Sequence, residues 1–453
     1  MSSLSASLAA ALSGLMAEQS ALQTTTNNVA NVNTPGYSRE VPVFVTGNPI
    51  IEDNLTFGSG VNLKTIENVR DPILESQIQQ ETQTQGQLSA LVSALSETQT
   101  SFTSTSGDIG TVISNFFDSL NELSTSPADL SLRQNVLTAA GNVATAFNVT
   151  SSNLTSQRSS LDASVQQTVG QINQITQQIA ELNQQISNLQ NVGQNAGTFV
   201  DQRTQLIDKL SSLIDVSVVP TDNTITLTTA TGTPLVAGNQ SFSLSTGLDP
   251  SGVHHIFGQG LDITSKIASG QLGGLLAARD QQIPAIQQQL DTLAAGLANS
   301  VNQVQGNGFD LNGKAGTNLF NPPAASGAAV NLSLAFTDPA LLAASSDGTS
   351  GSNGNLEAMY ALRNQGIVGG QSPTDYYAGI VFNVGNTASN ATAQQSASSL
   401  VLQQMNDQRA SISGVSLDEE AANMMQYQQA YAASAEVIRS INSMLETVIN
   451  MKN

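Results

Sequence analysis

Cysteine and tryptophan are absent from the 453-residue chain, and histidine occurs only twice. Without cysteine there can be no disulfide bond, no thiolate metal site and no cysteine nucleophile. The two histidines, His254 and His255, are adjacent, so on a strand they would point to opposite faces and could not easily share a metal ion. Their scarcity also argues against a Ser-His-Asp triad. We therefore expect a solvated strand end there, and no metal, cofactor or catalytic residue.

Charge is also scarce, since only 11% of the residues are charged, and its balance is acidic, with a net charge of −20. Nucleic-acid binding needs clustered Lys or Arg, so we expect no nucleic-acid partner. No apolar run reaches the eighteen or so residues that a membrane helix requires, so we expect no membrane insertion. No basic residue precedes the apolar stretch 4–16, since the first one in the chain is Arg39. A signal peptide has basic residues before its apolar stretch, so a cleaved signal peptide is not expected.

The two ends of the chain are almost uncharged. Residues 1–38 contain one charged residue, Glu18, and the four charges within 421–453 cancel. The negative charge therefore lies in the middle of the chain. Because a symmetric assembly repeats every charge at each subunit contact, uncharged ends suit a tightly packed multi-subunit core.

The first segment has the spacing of an amphipathic helix followed by a turn. Apolar and polar residues recur every three or four positions, which is typical of a coiled-coil seam with two polar layers. The seam consists of Leu8, Leu12, Leu15, Gln19, Leu22, Thr26 and Val29. Pro35 and Gly36 then occupy the central positions of a predicted type II turn over 34–37. Alternating valines at 41, 43 and 45 predict a strand, with Pro42 indicating an edge position.

The middle of the chain reads mostly as long helices. Helical pattern covers 71–123, including one long Gln-rich helix over 73–95, and a further helix is predicted over 129–192. Two heptad rows in the latter give the strongest coiled-coil signal. They are Val165, Ile172, Ile179 and Ile186, and Thr168, Ile175, Leu182 and Leu189.

Beyond these helices the composition changes twice. Residues 216–255 are rich in Val, Thr and Ile with turn dipeptides between runs, which predicts several short antiparallel strands in a self-contained insertion. Helix is predicted again over 273–302. The stretch 306–354 is expected to be mostly loop with one strand over 330–336, and 396–451 to be helical with a break at 413–414.

The last segment repeats the spacing of the first. One row consists of Leu417, Ala421, Met424, Gln428, Tyr431, Ala435, Ile438, Asn442, Leu445 and Ile449. A second row consists of Val437, Ile441, Met444, Val448 and Met451. Two rows make a face broad enough for two neighbouring helices. Ser416 and Glu419 predict a capping box at the helix start.

Two other motifs have a chemical and a simpler structural interpretation. Residues 306–316 resemble a calcium loop, but its first and twelfth positions would be Gly308 and Leu319, which offer no ligating side chain. A turn is the preferred interpretation. The pair Glu419–Glu420 could serve acid–base chemistry, yet carboxylates in the first turn of a helix are usually solvated and favoured by the helix dipole.

Both ends also resemble a known family. Signatures of the bacterial flagellar rod, hook and hook-associated axial proteins are similar to "LSGLMAEQSALQTTTNNVANVNTPGYSRE" and "SGVSLDEEAANMMQYQQAYAASAEVIRSINSMLETVIN". The interior of the chain resembles the hook-associated members of this family, which form the junction between hook and filament. The similar stretches are "QIAELNQQI", "FVDQRTQLIDKLSSLIDVSV" and "GFDLNGKAGTNLF". Larger members carry an extra outer domain, for which this chain has no room.

The resemblance implies a mainly α fold with a small β insertion. Its parts would be an inner domain of paired terminal coiled-coil helices (1–60 and 405–453), a middle domain formed by a long-helix bundle (61–215 and 261–404) and an antiparallel β outer domain (216–260). Subunits of this family are exported unfolded through the flagellar type III apparatus and assemble through their terminal helices. The expected location is the extracellular flagellum, at the hook–filament junction.

The resemblance also implies partners and packing residues. The partners would be further copies of the chain in a ring or helical array, the hook protein, the second junction protein (hook-associated protein 3) and a flagellar export chaperone. The expected subunit-packing residues are Leu8, Leu12, Leu15, Leu22, Val29, Asn31, Thr34, Pro35, Gly36, Tyr37, Leu417, Met424, Tyr431, Ile438, Ile441, Leu445, Val448 and Ile449. Alternatives are a hook or rod axial subunit and a secreted type III needle-tip protein or adhesin. An enzyme is the least favoured class.

Overall fold

The computed structural model of the chain describes residues 2–52, 55–103, 108–221 and 224–451. Long α-helices dominate these ranges. The helices are α1 (Ser2–Ala30), α2 (Pro72–Thr103), α3 (Ile109–Ser124), α4 (Leu130–Asn191), α5 (Gly197–Leu213), α6 (Gly270–Ala277), α7 (Ile283–Asn307), α8 (Gly354–Ala361), α9 (Pro373–Ser413) and α10 (Leu417–Asn450). The predictions for residues 104–107 and 222–223 fall outside the described part of the chain.

Short strands form four antiparallel sheets in the described ranges. The strands are β1 (Glu40–Thr46), β2 (Ile50–Glu52), β3 (Leu55–Phe57), β4 (Val61–Asn68), β5 (Ser217–Thr221), β6 (Thr224–Thr228), β7 (Pro234–Ala237), β8 (Gln240–Ser241), β9 (Leu244–Leu248), β10 (His254–Gly258) and β11 (Leu261–Asp262). The mainly α architecture with a β insertion is therefore as predicted.

Helix α4 is the central helix of the helical body. It begins after Asp129, whose carboxylate accepts hydrogen bonds from the N–H groups of Ser131 and Leu132 at 2.7 and 3.2 Å. The prediction of a helix over 129–192 is confirmed. Leu182 and Leu189 are half-buried, and the other members of both heptad rows are buried. Helices α2, α3, α5, α6 and α7 pack against α4.

Helix α9 is longer than the sequence pattern indicated. We predicted helix only from residue 396, and this was wrong, because α9 begins at Pro373. The hydroxyl of Ser372 caps it by accepting a hydrogen bond from the N–H of Asp375. Two interior glycines, at 379 and 385, weakened the helical signal. Burial of Ile380 and Val384 on its inner face outweighs that low propensity.

The predicted strand over 330–336 is also wrong. This segment forms one isolated bridge, at Leu334, and no ladder. Two backbone hydrogen bonds of 2.9 Å join it to segment 319–321, and helix side chains hold the backbone just before it. Asn148 of α4 donates hydrogen bonds to two carbonyls of segment 327–332, and Asp291 of α7 accepts two from its N–H groups.

The β insertion (β5–β11) lies along α4. Strands β5–β6–β7–β8 form one sheet and β11–β10–β9 another. Asn173 of α4 exchanges two hydrogen bonds of 2.8 Å with the backbone of Leu244, and Asn183 donates to the carbonyls of Ile225 and Gly238. The buried residues of both sheets belong to the same continuous hydrophobic core as those of α4. The division at 216–260 remains a prediction, but the sheets do not have a core of their own.

Candidate assembly site

Helices α1 and α10, from opposite ends of the chain, pack against each other. The side chains that α1 buries are small or polar. They are Ala6, Ala17, Ala21, Thr24, Thr25 and Asn28. A Cβ atom added to Gly14 would lie 3.4 Å from the hydroxyl oxygen of Ser434 on α10. The two helices therefore approach each other closely at Gly14.

The large apolar residues of α1 are less completely buried than its small ones. We expected the row from Leu8 to Val29 to be the coiled-coil seam. Leu8, Leu15, Leu22 and Val29 are half-buried, and Leu12 is 44% exposed. The seam therefore remains a prediction, with part of its apolar surface left uncovered within one chain.

Helix α10 leaves even more apolar surface uncovered. Of the expected packing residues on this helix, only Ile441 is buried, and Met424, Ile438 and Leu445 are half-buried. The exposed large apolar residues of α10 and its C-cap are Leu417, Met425, Tyr431, Val437, Met444, Val448, Ile449 and Met451. We call these residues, together with Leu12 and Met16 of α1, the terminal surface. Apolar surface of this extent typically marks an interaction site.

The terminal pair is joined to the helical body at the turn over residues 34–37. The N–H of Tyr37 donates to the carbonyl of Thr34 at 3.2 Å, and Gly36 has φ of +75°, as a type II turn requires. The predicted turn is thus confirmed. A Cβ at Gly36 would fall 2.3 Å from Nε2 of Gln205 on α5, so a larger residue would also displace the Gln205 side chain.

Asn28 organises the chain on both sides of this turn. Its Oδ1 accepts hydrogen bonds from the hydroxyl of Tyr37 and the N–H of Glu40, at 2.8 and 2.9 Å, and its Nδ2 donates to the carbonyl of Glu40 at 2.9 Å. One buried amide therefore ties the end of α1 to the start of β1. Asn31, one of the expected packing residues, instead donates to the carbonyl of Asn27 within the chain and accepts from Thr34.

The turn is then attached to α5. Gln205 donates to the carbonyl of Pro35 at 2.8 Å, and the N–H of Ser38 donates to Oδ2 of Asp201 at 3.0 Å. The second oxygen of Asp201 accepts from Asn68 and pairs with Arg70 at 2.6 Å. Asp201 is 4% exposed and holds three segments together. We did not identify it from the sequence, although it lies within the family-like stretch at 199–218.

The returning chain crosses beside the outgoing one. The N–H of Arg39 donates to the carbonyl of Ser413, at the end of α9, at 2.8 Å. The guanidinium of Arg39 also pairs with the carboxylate of Glu419 at the start of α10. Half of the predicted capping box is therefore present: Ser416 caps the N–H of Glu419, whereas the Glu419 carboxylate contacts Arg39. The outgoing chain at Arg39 and the returning chain at 413–419 therefore meet at one place, which we call the joint.

A cavity of about 500 Å³ lies at this joint, between the turn and helices α5 and α9. Arg409 crosses it and pairs with Asp208 at 3.1 Å and with Glu75 at 3.5 Å. Burial raises the pKa of Asp208, an effect that the nearby Arg409 partly offsets. The joint therefore combines fixed hydrogen bonds at the turn with a looser, charged interior.

The motifs weighed for chemistry have structural roles. His254 Nδ1 lies 2.6 Å from Asp162, and His255 Nδ1 lies 2.6 Å from Asp262, each on its own side of β10. In the calcium-like loop, Oδ1 of Asp310 accepts from the N–H groups of Asn312 and Lys314, which is a turn, as predicted. Among the described residues there is neither a cluster of metal-binding side chains nor a helix apolar enough to cross a membrane.

Comparison with known proteins identifies the family. The chain is 30% identical over 486 residues to flagellar hook-associated protein 1 of Bacillus subtilis (strain 168), with 96% of each chain covered. The chain belongs to the flagellar hook-associated protein 1 family. It is also 27% identical over 541 residues to the relative from Escherichia coli (strain K12), with 98% of this chain and 99% of that protein covered. It is therefore a structural component of the flagellum and not an enzyme.

Domain matches and one solved structure agree with this family. Residues 95–320 match the flagellar hook-associated protein FlgK helical domain, 8–37 the flagella basal body rod protein family, and 407–451 the flagellar basal body rod FlgEFG protein C-terminal family. The fold is similar to the flagellar hook junction protein FlgK from Burkholderia pseudomallei, with a TM-score of 0.68 at 20% identity, covering 74% of this chain and 100% of that one.

Proposed function

We propose that this family member forms a layer of axial subunits between hook and filament, joined to its neighbours through the terminal surface. The observation that carries this proposal is that α1 and α10 pack against each other and leave large apolar residues exposed. Helix α1 contains one charged residue, and residues 421–450 of α10 contain three, in a chain of net charge −20. An apolar surface with little charge can be covered by repeated copies without burying unpaired charges.

The expected packing residues divide into two roles. Those of α1 and α10 supply contacts between copies, with the most exposed, Leu12, Leu417 and Ile449, closest to the neighbours. Thr34–Tyr37 instead set the direction in which the helical body leaves the terminal pair. The inner domain (1–60 and 405–453) would thus be axial, the helical middle domain would surround it, and the β insertion would lie outermost.

The partners follow from the position at the junction. They are further copies of this chain, the hook protein on one side, hook-associated protein 3 on the other, and an export chaperone before assembly. We infer that the chain reaches the extracellular flagellum unfolded, and that residues 1–60 contain the export information. A passenger fused to residues 1–60 and retained in export-competent cells would contradict this inference.

A hook or rod subunit is the second candidate. Its support is the similarity of 8–37 and 407–451 to rod-protein families. The junction role is better supported, because 95–320 match the helical domain of a hook-associated protein.

The experiment compares two exposed apolar residues replaced by aspartate. Ile449→Asp changes the terminal surface, and Leu248→Asp changes strand β9. The two side chains are similarly exposed, Ile449 at 60% and Leu248 at 65%. Both variants are expressed in a strain lacking the natural protein, and flagella are viewed by electron microscopy. Because a charge buried at each contact is costly, Ile449→Asp is expected to reduce filament-bearing hooks at least about tenfold.

The control variant Leu248→Asp is expected to give normal filaments. Both proteins should be secreted and should melt as monomers at the temperature of the natural chain, because neither side chain is buried in the monomer. Normal filaments with Ile449→Asp would overturn the proposed contact.

A further inference from the structure

The sulfur of this chain is concentrated at its two ends. There is no cysteine, and six of the eight methionines lie in residues 1–30 and 417–453. Cysteine and methionine are the side chains whose sulfur is oxidised in proteins. All of the sulfur that a peroxide can oxidise is therefore methionine, and most of it belongs to the terminal segments.

Four of these methionines are exposed and belong to the terminal surface. Met16 of α1 is 57% exposed, Met425 and Met444 of α10 are 59% and 51% exposed, and Met451, at the C-cap, is 82% exposed. Met359 of α8, in contrast, is fully buried in the core of the helical body. A peroxide in solution therefore reaches the sulfur atoms of the terminal surface without any opening of the fold, whereas it reaches Met359 only after unfolding.

The surroundings of two of these sulfur atoms are aliphatic. Met444 lies one turn before Val448, and Met451 follows Val448 by three residues, so the three side chains share one face of α10. Val437, two turns before Met444, belongs to the same row. Valine side chains have no hydrogen-bond donor. A polar group formed at Met444 can therefore find hydrogen-bond partners in water but not within this row.

Peroxide converts the thioether of methionine to a sulfoxide. Hydrogen peroxide transfers one oxygen atom to sulfur: an S–O bond forms, the O–O bond breaks, sulfur is oxidised by two electrons and the peroxide leaves as water. The flexible apolar side chain becomes polar and chiral. In the free monomer water solvates the new oxygen. At a contact that excludes water the oxygen would be buried without a donor, which is unfavourable.

We propose that the exposed methionines of the terminal surface are peroxide modification sites, and that their oxidation to sulfoxides prevents the free subunit from joining the flagellum. This inference rests on the proposed function, since it requires the terminal surface to be covered on assembly. It adds a chemical control to that function, because methionine sulfoxide reductases A and B reverse the modification. An assembled subunit is protected in turn, since its neighbours cover the same sulfur atoms.

The test compares oxidised and unoxidised full-length protein. The purified natural chain is treated with hydrogen peroxide, and peptide mass spectrometry measures the sulfoxide at each position. We expect the four exposed methionines to be oxidised at least about tenfold faster than Met359. The protein is then added to bare hooks isolated from the strain lacking it, and the bound amount is measured. Oxidation is expected to lower binding at least about tenfold. The two reductases should restore binding, and the melting temperature of the monomer should not change.

Two variants separate the position of the methionines from oxidation in general. In the four-leucine variant, Met16, Met425, Met444 and Met451 are replaced by leucine, which nearly preserves volume and apolar character. It should bind hooks equally before and after peroxide. The second variant adds Leu248→Met to these changes, which places one methionine on strand β9 at an exposed position. Oxidation of that methionine should leave binding unchanged.

A matched pair of single changes tests Met444 without any oxidant. Met444→Gln introduces a polar side chain of similar length, as the sulfoxide does, and is expected to lower binding to hooks severalfold. Met444→Leu should leave binding unchanged. Three results would overturn the inference. They are normal binding of the oxidised natural chain, a loss of binding after peroxide that persists in the four-leucine variant, and equal binding of Met444→Gln and Met444→Leu.

The two proposals fail separately. Unoxidised Ile449→Asp is measured in the same binding assay. If it fails to bind hooks while the oxidised natural chain binds, the oxidation inference is wrong and the terminal contact stands. If both bind normally, the proposed function fails as well.

Discussion

Asn28 shows how a polar residue in an apolar pattern can decide the local structure. It falls in an asparagine-rich stretch where the helical signal fades, and an isolated buried amide would be costly. In the structure its side chain makes three hydrogen bonds, to Tyr37 and to both backbone groups of Glu40. Those groups lie nine and twelve residues away, so the amide joins the helix end to the strand beyond the turn.

Asp215 is a buried carboxyl group without a cationic partner. It is 2% exposed, its Oδ1 accepts no hydrogen bond, and burial raises its pKa from 3.8 to about 6, despite hydrogen bonds from backbone N–H groups. A raised pKa means that the folded state binds the proton more tightly than the unfolded state. Its contribution to stability is therefore fully present below about pH 4 and is lost as the pH rises through about 6.

We expect Asp215→Asn to stabilise the protein at neutral pH. At pH 7.5 the free energy of unfolding should rise by about 2–3 kcal/mol, because the variant no longer ionises a buried group. At pH 4 the difference should nearly vanish. Urea unfolding at both pH values measures the effect, with the exposed Asp407→Asn as the control. An equal effect at the two pH values would exclude ionisation as the cause.

At the scale of elements, the terminal helices differ from the helices of the body. Helix α4 buries large aliphatic side chains along most of its length, while α1 buries alanines, threonines and an asparagine. On α10, Ile441 is the one large apolar side chain that the described structure buries. Long helices with so little apolar burial are only marginally stable in water, although their sequences favour helix.

We therefore expect both terminal helices to open frequently in the free monomer and to become protected on assembly. In hydrogen exchange of the monomer, residues 5–30 and 420–450 should exchange far faster than α4. Within isolated flagella the same residues should exchange slowly. Removing residues 1–40 and 415–453 should leave the protection of α4 unchanged. Slow exchange throughout both terminal helices in the monomer would contradict this prediction.

At the scale of the whole molecule, the β insertion is part of the helical body. The sequence suggested a self-contained unit, and we expected that a linker could replace it without harm. The structure leads to the opposite expectation, because Ile172 and Ile179 of α4 share one core with Leu227 and Val236 of the sheets. Removing the sheets would expose aliphatic side chains that each contribute about 1.5–3 kcal/mol when buried.

Replacing residues 217–262 with a short Gly-Ser linker should therefore reduce helix content and cooperativity. Gly270, eight residues after the replaced segment, packs against the backbone of Ile214, three residues before it. Circular dichroism during thermal unfolding measures the loss. As matched single changes, Val236→Ala in the core should lower the melting temperature, while Val219→Ala at the surface should not. An unaltered melting curve after the deletion would contradict this prediction and indicate that the β insertion is an independent unit.

The Escherichia coli relative has positions that this chain lacks. The alignment with that protein spans 541 positions, so at least 88 of them have no counterpart among the 453 residues here. Both chains are nevertheless covered almost from end to end.

The sequence by itself determined the long helices, the turn and the β insertion. Those features follow from local periodicity and from Pro and Gly at specific positions, as at Pro35–Gly36 and in the heptads of α4. Local pattern also revealed the apolar ends, because the lack of charge is visible in the sequence alone. The early start of α9 was missed, although Ser372 and Pro373 were a usable signal, because two glycines obscured the period.

Only the tertiary structure decided which residues meet. Asp201 lies more than 130 residues from Ser38 and Arg70, and no periodicity links them, yet one carboxylate binds both. A shared core likewise made the β insertion part of the body. Sequence pattern reports what a segment buries, whereas the choice of neighbour depends on shape and on the pairing of buried polar groups from distant segments.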